Sequence, residues 1–126
     1  GEFDNVLRAG LTGKYVDVAE LLDVVETVAA PPIRIAPERI SPIQSTFYAP
    51  VDDFELSMIE LRQAHRTFKL RGGGPRIIAS LEGAAEIWTE SGQHHVLNTG
   101  QAVFVRADDG RVEVRGFGRF VQADVP

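Results

Sequence analysis

Apolar residues fall into two different rhythms along this chain, and the change comes at Pro31-Pro32. Before it, Val18, Leu21, Leu22, Val25 and Val28 recur at helical spacing and form one apolar stripe. Asp17 is a good N-cap, and Glu20 completes a capping-box pattern with it. Val16 and Leu21 are placed to form the hydrophobic staple across that cap. The proline pair ends the element, because proline lacks the amide donor and restricts the residue before it. The pattern therefore predicts one amphipathic helix whose stripe must be buried on another surface.

Beyond Pro32 the period shortens to two. Phe54, Leu56 and Met58 alternate with Glu55 and Ser57; the phase then slips so that Ile59 and Leu61 carry it on, which predicts a bulge. Arg76–Leu81 reads as a buried strand ending at Glu82-Gly83. Ala85–Thr89 and His94–Leu97 flank the hairpin signal Glu90-Ser91-Gly92-Gln93. Ala102–Val105, Arg111–Arg115 and Phe117–Ala123 complete the set, with Val112 and Val114 facing opposite to Arg111, Glu113 and Arg115. Pro42, Pro50 and the Gly72–Pro75 run mark loops or edges. Turn signals recur about every eight to twelve residues, as in a sandwich or barrel. The predicted fold is all-β with one N-terminal helix, a jelly roll.

Composition narrows the function classes. At 126 residues, 44% hydrophobic and 25% charged, the chain is an ordinary globular domain. The absence of cysteine excludes disulfides and thiolate metal sites. No apolar run is long enough for a membrane span and no leader is visible, so the expected compartment is cytoplasmic, with no membrane partner. The net charge of −5 argues against nucleic acid, although Arg62, Arg66, Lys69, Arg71 and Arg76 form one locally basic stretch. Gly1–Phe3 reads as a cloning scar, since Glu-Phe is what a common in-frame restriction site encodes. The expected organisation is then a scar at 1–3, a lead-in segment and helix at 4–32, and a β domain at 33–126, cut from something longer.

The stretch Asp4–Lys14, D-N-V-L-R-A-G-L-T-G-K, carries the candidate chemistry. Arg8 and Lys14 add nothing to a core, whereas a site for an anionic ligand needs such a pair. Other candidates read as structural. His94 and His95 are adjacent, so on a strand they point to opposite faces, and the H-x-H spacing of a metal-binding barrel is absent. His65 reads as a surface residue. Gly72-Gly73-Gly74 lacks what a phosphate-binding loop requires and reads as a flexible turn rather than an anion nest. Asp52-Asp53 and Asp108-Asp109 read as turn residues, and Trp88 and the phenylalanines as core.

The C-terminal order, a buried strand, L-E-G, a strand ending I-W-T, then L-N-T-G-Q-A-V-F-V-R-A, resembles half of a cupin jelly roll, the double-stranded β-helix. D-N-V-L-R-A-G-L-T-G-K-Y-V-D-V-A-E-L-L is more specific. With Y-A-P-V-D-D-F-E-L and G-P-R-I-I-A-S-L-E-G, it resembles the segment of type I mannose-6-phosphate isomerases that enters their C-terminal cupin. The resemblance implies the C-terminal cupin domain of a zinc-dependent enzyme interconverting mannose 6-phosphate and fructose 6-phosphate. It implies active-site roles for Arg8 and Lys14. The family usually has proline where this chain has Gly13, which leaves the approach of Lys14 less fixed. The family's zinc ligands, a glutamine, two histidines and a glutamate, all precede the R-A-G motif. Zinc and the sugar phosphate are therefore expected of the parent enzyme, no metal or cofactor of this chain, and no activity of this chain by itself. An exposed face left by the missing domain would favour self-association. The alternative is a stand-alone, non-catalytic cupin-like module binding a small ligand or a partner.

Overall fold

The structure is a computed structural model that describes Asp23, residues 36–47 and residues 55–124. The helix expected from Asp17 lies outside the described residues, apart from Asp23, which is helical and exposed. In order, the strands are β1 (Glu38–Arg39), β2 (Gln44–Phe47), β3 (Glu55–Leu61), β4 (Phe68–Lys69), β5 (Arg76–Thr89), β6 (His94–Leu97), β7 (Ala102–Val105) and β8 (Val112–Asp124). A 3-10 turn at Ala107–Asp109 precedes β8. Every pairing is antiparallel, in one eight-stranded sheet.

β5 and β8 form the spine, paired from Arg76↔Asp124 to Thr89↔Val112. Each changes its other neighbour midway. β5 pairs β7 along Arg76–Ala79 and β6 along Ala85–Trp88; β8 pairs β4 at Glu113–Val114 and β3 along Gly118–Asp124. The sheet thus has two halves hinged on the spine. One buried cluster draws on both, with Ile59, Ile78, Val103, Val105 and Phe120 from one half and Ile87, Leu97, Val112 and Val114 from the other. The sheet therefore folds over its own inner face. Each such side chain contributes roughly 1.5–3 kcal/mol by leaving water.

Two strands expected to be separate at Glu82-Gly83 are one, and so are the two expected on either side of Gly116. The glycines there make a bend, not a turn. Gly83 and Gly118 lie opposite each other with φ of 80° and 139°, and the register shifts between Ser80 and Glu82. The bulge expected in β3 is absent: its register runs unbroken from Glu55↔Asp124 to Leu61↔Gly118. The phase slip has another cause, because both faces of this half are apolar. Ile59 and Leu61 point inward, whereas Leu56 and Met58 join Ile77, Ala79, Leu81, Ala102, Phe104, Val121 and Ala123 on the opposite face.

Candidate functional site

Arg8 and Lys14 lie outside the described residues, as do Asp52 and Asp53. Among the described residues no three His, Cys, Asp or Glu side chains are grouped to hold a metal ion. His65 is exposed in the β3–β4 loop. His94 and His95 oppose Trp88 and Ile87, one on each face of the sheet, as adjacent strand residues must. Asp109 serves its turn: Oδ2 accepts the Arg106 amide at 2.9 Å and Oδ1 the Ser91 hydroxyl at 2.8 Å.

The inner face changes character at one end. Gln44, Thr46, Ser57, Arg76, Gln122 and Asp124 are all buried there, where neighbouring rows are aliphatic. Arg76, counted by sequence both in a locally basic stretch and at the start of a buried strand, is only 3% exposed. It is inside because it shares strand parity with Ile78 and sits opposite Asp124. Its Nη2 donates to Gly110 O at 3.0 Å and its Nη1 reaches Gln122 Oε1 at 3.5 Å, while its Nε is buried without a partner. The triglycine turn is a strap over this row. Arg71 O accepts from Gln44 Nε2 at 3.1 Å and Gln122 Nε2 at 2.8 Å, and Arg71 N donates to Gln44 Oε1 at 2.8 Å. A Cβ on Gly72, whose φ is 125°, would lie 2.8 Å from Gln122 Nε2, so the strap is closest to the row at that one position.

Burial, then the charge of Glu55, pushes the Asp124 carboxyl above its ordinary range; the Gly73 amide and Arg76 oppose this. Burial lowers the Arg76 guanidinium from its usual value, against the pull of Asp124. A raised carboxyl pKa means that the stabilisation from Asp124 is complete below its unfolded value of about 3.9 and is lost as pH rises through the folded value. Asp124→Asn removes this dependence. Urea midpoints across acidic pH should show wild type losing ground to the variant as pH rises. Glu86 and Glu90, both shifted down, cancel in that difference. A wild-type-to-variant gap that stays flat or widens in the other direction would refute the assignment.

A second cluster lies on the outer face of the β4–β8–β5–β6 half. Glu86 accepts from His94 Nε2 at 3.1 Å and from Arg115 Nη2 at 3.3 Å. Those bonds, His94 first, hold its carboxyl below the usual range. His94 stacks on Trp88 with centroids 5.2 Å apart, and the Arg115 guanidinium lies 5.3 Å from the same ring. Trp88, expected in the core, is half-buried on this outer face, because Ile87 beside it takes the inward position. Phe117, also expected inside, is exposed.

Sequence reading missed the polar row, although its signal was present. Gln122 and Asp124 continue the parity of buried Phe120, as Arg76 does that of Ile78, so polar residues recur at inward positions. What results is an antiparallel β domain with a strapped polar interior and, among its described residues, no metal-binding group.

No family model matches the chain. The mannose-6-phosphate isomerase of Escherichia coli (strain K12) is 35% identical over 120 residues, 94% of this chain and 30% of that protein. The Salmonella typhimurium (strain LT2) mannose-6-phosphate isomerase is 36% identical over 121 residues, again 94% and 30%. A crystal structure of the Salmonella typhimurium enzyme bound to its substrate and zinc matches with a TM-score of 0.63 and 31% identity, over 90% of this chain and 28% of that one. The chain is thus homologous to a stretch of mannose-6-phosphate isomerases and spans about 30% of the length of these curated relatives.

Proposed function

We propose that this chain is the C-terminal cupin domain, a jelly roll of the double-stranded β-helix kind, of a cytoplasmic zinc-dependent mannose-6-phosphate isomerase. The observation that carries this reading is the match of 94% of the chain to 30% of the Escherichia coli enzyme. The D-N-V-L-R-A-G-L-T-G-K stretch adds to it. Among the described residues no group fits a zinc ion, which accords with a metal held elsewhere in the whole enzyme. The domain's chemical contribution is the pair Arg8 and Lys14. Aldose–ketose isomerisation moves a proton between neighbouring carbons through an enediolate. Arg8 stabilises that developing negative charge without giving up its own proton, and Lys14 holds the phosphate or supports proton transfer.

The competing reading is a stand-alone, non-catalytic cupin-like module that binds a small ligand or a partner. The Arg71–Pro75 strap argues against a ligand held at the polar interior, because the chain's own backbone takes up the hydrogen bonds of Gln44 and Gln122 there. The test is an assay of this chain with mannose 6-phosphate and zinc, beside the full-length parent. Turnover is expected from the parent only; turnover by this chain at a rate near the parent's would sink the proposal.

A further inference from the structure

The outer face of the β4–β8–β5–β6 half holds residues that the fold itself does not need. Directly opposed residues of an antiparallel pair share a face. The register therefore builds three adjoining rows: Phe117–Ala84, Arg115–Glu86–Val96 and Glu113–Trp88–His94. Phe117 is 56% exposed and Val96 47%, and they are the large hydrophobics exposed among the described residues. They sit on the same face as the chain's single tryptophan. Beside Trp88 lies a hollow of about 150 Å³ lined by Thr89, Glu90, Arg111 and Glu113.

The composition is that of a contact surface, where tryptophan, other aromatics and arginine are concentrated. The patch is also ordered in advance. Glu86 fixes both His94 and Arg115, and both of these lie against Trp88. Side chains already held in place lose little freedom when a partner arrives.

From this we infer that the face centred on Trp88, Val96 and Phe117 is the contact surface for the remainder of the isomerase polypeptide, the part that this chain does not include. The inference rests on the domain reading above. Two arguments select this occupant. The chain spans about 30% of the length of its curated relatives, so a domain of this kind has a large neighbour on its own polypeptide. The patch also offers few large apolar anchors, Val96 and Phe117 being the exposed large hydrophobics among the described residues. A free partner or a stable dimer generally needs upward of about 1,000 Å² of buried surface. A tethered neighbour is present at an effective concentration of roughly millimolar, so two apolar anchors and a polar rim suffice.

The test is Val96→Asp with Phe117→Asp, made both in this chain and in the full-length parent. In this chain both positions face solvent, so urea unfolding should change little. In the parent the two parts should come apart: proteolysis ahead of Asp4 should quicken at least tenfold, and the single thermal transition should split. Cleavage and melting identical to the wild-type parent would overturn the inference. So would an isolated-chain dimer that the double variant dissolves while the parent is unaffected, because a second copy would then be the occupant. Loss of the domain reading itself would show differently, as a wild-type parent without isomerase activity, and the cleavage comparison would still report on the contact.

Discussion

Gly118→Ala should cost this domain about 4 kcal/mol, enough to unfold much of it, since whole domains are stable by only about 5–15 kcal/mol. Two effects combine. Gly118 has φ of 139°, a region that L-residues rarely adopt. A Cβ there would also sit 2.0 Å from Glu82 O, an atom of the opposing backbone that cannot swing aside. Gly83 is in the same position from the other side, with φ of 80° and its added Cβ 2.0 Å from Phe117 O. The two substitutions should not add, because they relieve or aggravate one contact. Gly73→Ala is the control: a Cβ there meets nothing within 4 Å, and the change should stay within about 0.5 kcal/mol. Urea denaturation of the three variants checks the order. A Gly118→Ala protein as stable as Gly73→Ala would mean that β5 and β8 do not cross so closely.

That crossing is what makes one spine serve two halves, and it explains where sequence reading stopped. Strand periodicity placed His94–Leu97 and Ala102–Val105 to the residue, because both are short and end in recognisable turns. It split β5 and β8, because a glycine within a strand pattern carries the same local signal whether the chain turns back or bends in register. The distinction lies in the opposing strand, where Gly118 faces Gly83. Leu56 and Met58 against Ile59 and Leu61 show a similar limit. A change of hydrophobic phase was read as an inserted residue, when it marked a strand with two apolar faces. Half-buried Trp88 and exposed Phe117 departed from the core expectation for the same reason: residue type favours burial, but strand parity decides which face is inside.

The candidate site was legible to an unequal degree. Adjacent His94 and His95 were separable by strand geometry alone, and His94 spends its ring on Glu86 and Trp88. The polar interior was not found, because Arg76 lies far in sequence from Gln122 and Asp124 and only the β5–β8 register brings them together. The strap adds a further non-local element, since Gly72–Pro75 reads as an ordinary turn until Gln44 and Gln122 are seen to hold Arg71.

In the full-length parent, Arg8→Ala should lower kcat by about 10²–10³-fold with KM nearly unchanged. That is the usual loss when one preorganised donor to a developing oxyanion is removed. The split matters more than the size. An interaction made only in the transition state appears in kcat, whereas one made equally with bound substrate appears in KM. Lys14→Ala should therefore behave differently. If it holds the phosphate, KM for mannose 6-phosphate rises and added inorganic phosphate inhibits the variant less than wild type. Arg8→Lys sharpens the assignment: a point charge keeps the sign but loses the planar fork, so only partial recovery is expected. Equal changes in KM for both alanine variants, with kcat intact, would place Arg8 among the phosphate contacts. Unchanged kinetics for Arg8→Ala would remove the D-N-V-L-R-A-G stretch from the active site altogether, whatever its similarity to the isomerases. Measured in one parent under one buffer, the pair of variants tells charge stabilisation at the reacting carbons apart from simple anchoring of the substrate.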